Sequence, residues 1–171
     1  MFKTSIIIGL LLLAAHWCSG QDQELGMIVF GRIQELNLAD SSETKVGEIP
    51  LRILRDGELF ERTQSSKSGK YQVFLPFGSV YDVSFGDSVF VAKILRFDLT
   101  GVGGKVARKG FSLQLDISLF HSEDEQLLLL HREPVAVAAY LKKPDMIVFD
   151  PNYSDERNRL ISLRLSELKG D

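Results

Sequence analysis

The chain has 171 residues, 44% of them hydrophobic and 25% charged, a balance too apolar for a disordered polymer and a length too short for two large domains. Its 20 Lys plus Arg against 23 Asp plus Glu give a formal charge of -3, without the basic footprint that phosphate-backbone binding requires, so no nucleic-acid partner is expected. One Cys and three His exclude a disulfide framework, a zinc ribbon and an iron–sulfur centre, and no cofactor or metal is expected.

The first twenty residues read as an address. One cation, Lys3, precedes an apolar run over residues 6–15, and Cys18, Ser19 and Gly20 give a small-x-small pattern before Gln21. This is the pattern of a secretory signal peptide cleaved between Gly20 and Gln21. The apolar run is about half of the roughly 20 residues a bilayer span needs, so no transmembrane segment is expected in the mature chain. A lipidated Cys18 would need small residues before it, where His16 and Trp17 stand. Cleavage removes the only Cys and the only Trp and leaves a chain of 151 residues with 19 basic and 23 acidic side chains. A periplasmic or extracellular protein follows, held by its core alone; at this size about two thirds of the unfolded surface can be buried.

From residue 27 onward, short apolar runs alternate with turn chemistry, which predicts a mainly β protein. A first strand spans 27–33, followed by a polar loop over 37–47. Residues 50–55 alternate Leu51 and Ile53 against Arg52 and end at Asp56-Gly57, a hairpin signal, with a partner strand at 59–64. A turn at 65–69 leads into 70–75, where Tyr71, Val73 and Leu75 share a face. Pro76-Phe77-Gly78 closes that strand, and Tyr81, Val83 and Phe85 share the inner face of 80–85. Gly86-Asp87 and a long strand over 89–98 follow. Six or seven short strands with a turn every few residues are the signature of a β-sandwich rather than of a parallel α/β sheet. The predicted core is Leu51, Ile53, Tyr71, Val73, Leu75, Tyr81, Val83 and Phe85; Phe74 and Phe90 are read as further packing positions.

These residues carry a resemblance. Gly31 inside the first strand, Pro50-Leu51, Thr63, Gly69-Lys70-Tyr71, Leu75-Pro76-Phe77-Gly78 and the strand from Tyr81 are similar to the carboxypeptidase regulatory-like domain. That domain is a transthyretin-like β-sandwich common in bacterial envelope proteins, particularly those of Bacteroidota. The similarity covers residues 27–99. Its most specific part is the block G-K-Y-x-x-x-L-P-F-G-x-x-Y, while Glu48-Ile49 replaces the glycine that usually precedes Pro-Leu. The resemblance implies a non-catalytic accessory fold in which Gly31, Pro50, Gly69, Tyr71, Leu75, Pro76, Gly78 and Tyr81 are structural.

Residues 100–110, with Gly101, Gly103, Gly104 and Gly110, read as a flexible connector between a sandwich over 21–99 and an extension over 111–171. Val106 follows Gly104-Lys105 where a phosphate loop needs Ser or Thr, so that motif fails. Phe111, Leu113, Leu115, Ile117 and Leu119 alternate as the inward face of one strand. Residues 121–126 form an acidic loop, 127–130 an apolar run without a clear period, and 134–141 and 146–149 two further strands. Ser154 is placed to cap a terminal helix with Leu160, Ile161, Leu165 and Leu168 along one side. This extension is expected to pack on the sandwich.

No catalytic constellation emerges. His121 and His131 stand in no metal or triad spacing and read as surface residues; no H-E-x-x-H, G-x-S-x-G or cysteine nucleophile remains after processing. Glu123-Asp124-Glu125 lacks the alternating ligands of a calcium loop. Asp150, Asp155 and Glu156 read as a turn and a helix start rather than a glycosidase pair. Asn152-Tyr153-Ser154 is a glycosylation sequon, relevant only in a eukaryotic secretory pathway. The expected function is therefore a non-enzymatic module that serves a protein partner in the cell envelope. A small carbohydrate-binding module is the alternative, for which Phe77, Tyr140 and Tyr153 are weak stacking candidates in a mature chain without Trp.

Overall fold

Strands dominate because apolar side chains recur at every second residue, and such strands bury one face only by pairing into sheets that pack together. A computed structural model describes residues 25–87 and 89–170; the proposed cleavage site at Gly20 and Gln21 lies outside them. In chain order the elements are β1 (Gly26–Leu36), β2 (Glu43–Lys45), β3 (Pro50–Arg55), β4 (Glu58–Gln64), β5 (Lys70–Pro76), β6 (Val80–Phe85) and β7 (Lys93–Asp98). Then come α1 (Gly104–Lys109), β8 (Phe111–Gln114), β9 (Ile117–Leu119), α2 (Glu125–Leu130), β10 (Ala136–Leu141), β11 (Met146–Phe149) and α3 (Pro151–Gly170).

They form a β-sandwich of two sheets. The first is built about β1, which pairs antiparallel with β5 along Gly26 to Arg32 and with β2 along Gln34 to Leu36. Across β1 from β5, β8 runs parallel to residues 27–30; β9 continues in parallel beside residues 33–35. The second sheet has the order β11-β10-β7-β6-β3-β4, with β10 and β7 its parallel pair. All eight predicted core residues are buried between the sheets, with Ile53, Leu75, Tyr81, Val83 and Phe85 fully inaccessible. Each such side chain contributes about 1.5–3 kcal/mol relative to exposure. A second cluster of Val91, Phe120 and Leu127, with Leu36, Leu38, Ile161 and Leu165 against it, seats α2 and α3.

Several sequence expectations change. The glycine-rich connector contains α1, whose Val106 is buried; the Lys105 N–H donates to Asp145 Oδ2 at 2.9 Å, and Tyr140 holds the other carboxylate oxygen. Strand β7 begins only at Lys93, because Val91 is diverted into the second cluster, where its N–H reaches the Phe120 carbonyl at 2.9 Å. The extension is joined to the sandwich by strand pairing: β8 and β9 complete the first sheet and β10 and β11 the second. Residues 127–130 lie in α2, capped by Asp124, whose side chain accepts the Leu127 N–H. The acidic loop is thus partly structural, and Asp124 also takes a two-pronged ion pair from Arg164 of α3, with Nε to Oδ1 at 2.9 Å. That guanidinium, followed by the Leu127 N–H, holds the Asp124 carboxyl down at about 2. At the start of α3 the capping oxygen belongs to Asp150, which accepts from the N–H groups of Asn152 and Tyr153 at 2.9 and 3.3 Å, while Pro151 begins the helix. Ser154 instead donates to the Asp150 carbonyl.

Candidate functional site

The outer face of the first sheet is an open surface. Strict alternation in β5 sends Tyr71, Val73 and Leu75 inward and Lys70, Gln72 and Phe74 outward. Phe74 is therefore not a core residue: it is 39% exposed, and Phe30 of β1 is 37% exposed. Register arranges this face in rows across β5, β1 and β8. Phe74 lies opposite Ile28, which lies opposite Ser112; Gln72 lies opposite Phe30, which lies opposite Gln114; Lys70 lies opposite Arg32. A shallow recess of about 640 Å³ runs across the last two rows, lined by Phe30, Arg32, Lys70, Gln72, Gln114 and Asp116.

The recess owes its shape to a break in the edge strand. After the Leu115 N–H donates to the Phe30 carbonyl at 2.8 Å, the chain leaves the ladder, and Asp116 Oδ1 accepts the Arg32 N–H at 2.8 Å in place of a backbone carbonyl. The displaced Leu115 carbonyl lies over Gly31, and the Tyr71 hydroxyl donates to it at 2.6 Å. Burial pushes the Tyr71 phenol up, and the Asp116 charge adds to that, so it remains a donor. A Cβ at Gly31 would stand 1.9 Å from the Leu115 oxygen, so this crossing requires glycine.

Of the residues singled out by the family resemblance, Gly31 and Tyr71 border the recess and the others lie away from it. Pro50 opens β3, Tyr71, Leu75, Pro76 and Tyr81 are buried, and Gly78 turns between β5 and β6. Gly69, at φ +78, faces the carbonyl oxygens of Ile33 and Val46, which a Cβ would meet at 2.5 and 2.6 Å. The outer face escaped sequence reading, although one signal was present: Phe30 and Phe74 occupy the wet parity of strands whose neighbouring positions are core.

Neither histidine belongs to a reactive cluster, and among the described residues no three His, Cys, Asp or Glu are grouped to hold a metal ion. His121 is exposed, with Nδ1 donating to the Val89 carbonyl at 2.6 Å and Nε2 3.2 Å from Glu35. His131 is not a surface residue: it is 4% exposed, sits edge-on to Phe120 and donates from Nδ1 to the Leu127 carbonyl at 2.9 Å. Burial lowers its pKa from the ordinary 6.5, and the nearby charges of Lys93 and Arg157 act in the same direction. A lowered folded pKa means that the unfolded chain binds more protons, so stability is complete above about pH 6.5 and is lost as pH falls through the folded value. The urea midpoint should therefore drop between pH 7.5 and pH 5. His131→Gln should remove much of that slope, and an NMR titration placing the His131 pKa at or above 6.5 would refute the assignment.

Asp150, Asp155 and Glu156 do not face a common cleft. Asp150 is spent on the α3 cap, and Asp155 and Glu156 are exposed. Tyr153 donates its hydroxyl to the Pro134 carbonyl at 2.8 Å, and Tyr140 donates to Asp145, so both hydroxyls are held by internal hydrogen bonds. No described helix is long and apolar enough to cross a membrane.

No family model and no curated protein match the chain, so the carboxypeptidase regulatory-like resemblance rests on the residues quoted above. Solved structures give distant likenesses. The Bacillus anthracis TIE protein is 15% identical, covering 56% of this chain and 17% of that one, with a TM-score of 0.37. A Bacteroides uniformis protein for which carbohydrate binding has been proposed is 14% identical, covering 56% and 41%, with a TM-score of 0.35. The 5-hydroxyisourate hydrolase of Klebsiella pneumoniae is 10% identical, covering 74% and 96%, with a TM-score of 0.33. The chain thus spans less than half the length of the first two. None of these likenesses identifies a function, and the mainly β sandwich stands on the two sheets and the core between them.

Proposed function

We propose that this chain is an exported, non-catalytic β-sandwich module that binds a protein partner in the cell envelope, and that the outer face of its first sheet is the docking surface. Export follows from the leader-like residues 1–20, and the accessory role from the carboxypeptidase regulatory-like block. The observation that carries the docking surface is the exposure of Phe30 and Phe74 on paired strands beside Arg32. Aromatic residues and arginine are enriched where proteins meet. The exposed edge strand β4 is a poorer candidate. It has a bulge at Phe60, whose ring packs on Tyr81 at 5.8 Å, and it carries Glu58, Glu61 and Arg62, features that block strand addition.

A glycan is the second reading, favoured by one observation: the half-exposed Phe30 stands in register between Gln72 and Gln114, an aromatic residue with an amide residue on either side. Photo-crosslinking residues placed at Gln72 and Gln114 in cells that make the protein test the docking surface, with Arg62 on the other sheet as control. Capture of one protein from both first-sheet positions and not from Arg62 is the expected result. Crosslinks from Arg62 alone, or from none of the three, would overturn it.

A further inference from the structure

We infer that the partner presents an extended, acidic segment to the first sheet, with its carboxylates meeting Arg32 and Lys70 and an apolar side chain meeting Ile28 and Phe74. This inference rests on the docking reading above and names the chemistry of the occupant. Arg32 and Lys70 are directly opposite each other in the β1–β5 register, and both are exposed on the outer face. Like charges so placed weaken a strand pair unless an anion lies between them. Neither side chain has an ion-pair partner among the described residues. The one acid in the recess, Asp116, commits Oδ1 to the Arg32 backbone and leaves the lining with two positive charges against one negative. The cations are also not part of a generally basic surface, since the whole chain carries -3.

The order of the rows defines the segment. A cationic row, Arg32 and Lys70, is followed by an aromatic–amide row, Phe30 with Gln72 and Gln114, and then by an apolar row, Ile28 with Phe74. Successive rows stand about 7 Å apart, two residues along a strand. An extended peptide presents same-face side chains at that same spacing. A carboxylate at one position, a small or polar residue two positions on and an apolar residue four positions on would therefore match all three rows. The aliphatic Ile28 in the last row suits a peptide side chain better than a sugar ring.

The test uses the purified mature chain and labelled peptides of repeating Glu-Ser-Thr-Ser-Val-Ser, which set Glu, Thr and Val at successive same-face positions, with Lys replacing Glu in the control and oligogalacturonate as the acidic glycan. Saturable binding of the acidic peptide, weakened by added salt and absent for the Lys peptide, is expected. Arg32→Gln with Lys70→Gln should weaken it about tenfold or more, and Arg32→Glu with Lys70→Glu should transfer preference to the Lys peptide. Both positions are solvent-exposed, so the denaturation midpoint should not fall. Equal affinity for the two peptides, unchanged affinity in the double Gln variant, or preference for oligogalacturonate would overturn the inference. Absence of peptide binding by the unsubstituted chain, with crosslinks from Gln72 and Gln114 still formed, would refute the acidic segment alone, whereas absence of both would refute the docking surface as well.

Discussion

Gly31→Ala is expected to cost roughly 3 kcal/mol of stability, more than a typical core truncation by one methylene. The reason is space and not backbone freedom. A Cβ at position 31 would lie 1.9 Å from the Leu115 oxygen, 2.6 Å from its carbonyl carbon and 3.0 Å from Asp116 Oδ1. The first two atoms are main chain and cannot rotate away. Moving them would break the Tyr71 hydroxyl contact at 2.6 Å and disturb the Arg32 N–H contact with Asp116 at 2.8 Å, so the strand break would lose its substitutes for ladder bonds. Tyr71→Phe isolates the smaller term and should cost about 1 kcal/mol. Gly101→Ala, where nothing lies within 4 Å of the added carbon, should leave the midpoint within about 0.5 kcal/mol of the parent. Urea unfolding of the three variants distinguishes them, and a Gly31→Ala midpoint equal to that of Gly101→Ala would show that Leu115 does not cross over Gly31.

That crossing also marks where the sequence stopped being informative. Alternation is a local property, so the inward sets Tyr71, Val73, Leu75 and Tyr81, Val83, Phe85 could be read directly, and turn chemistry located the β3–β4 hairpin at Asp56-Gly57. Partner choice is not local. Phe111 to Leu119 read as one alternating strand, and its inward residues do face the core, but nothing in those residues says that they lie parallel to β1 or leave the ladder at Leu115 and Asp116. The same holds for His131, whose burial depends on Phe120 and on the helix α2 that the apolar run 127–130 did not reveal by period. Phe74 is a different case. Its parity is opposite to Val73 and Leu75, so reading it among the aromatic packing positions sets the alternation aside, and the exposed outer face is missed with it. On a half-wet sheet, parity determines the side and residue type does not.

Ending the chain at Thr100 should abolish cooperative folding altogether. The fragment would retain β1 to β7, the whole span of the family resemblance, and so the strands a self-sufficient sandwich would use. It would lose both parallel neighbours of β1 and, in the other sheet, β10 beside β7. The backbone of β1 would then become an open edge along Met27 to Phe30 and Ile33 to Glu35, and two long-range contacts, the Tyr71 hydroxyl and the Arg32 N–H, would lose their acceptors. The core would lose as much. Val106, Ile117, Leu119, Phe120, Leu127 and Ile147 all lie beyond the cut and all are buried. At about 1.5–3 kcal/mol for each large side chain, their removal cancels about 10 kcal/mol or more, comparable to the roughly 5–15 kcal/mol by which a whole domain is stable. Fragments ending at Thr100 should therefore aggregate or bind an apolar dye, without a sharp urea transition. A monomeric fragment with a single cooperative transition would show instead that β1 and β7 tolerate open edges, and that the strands after residue 110 were added to a sandwich already complete.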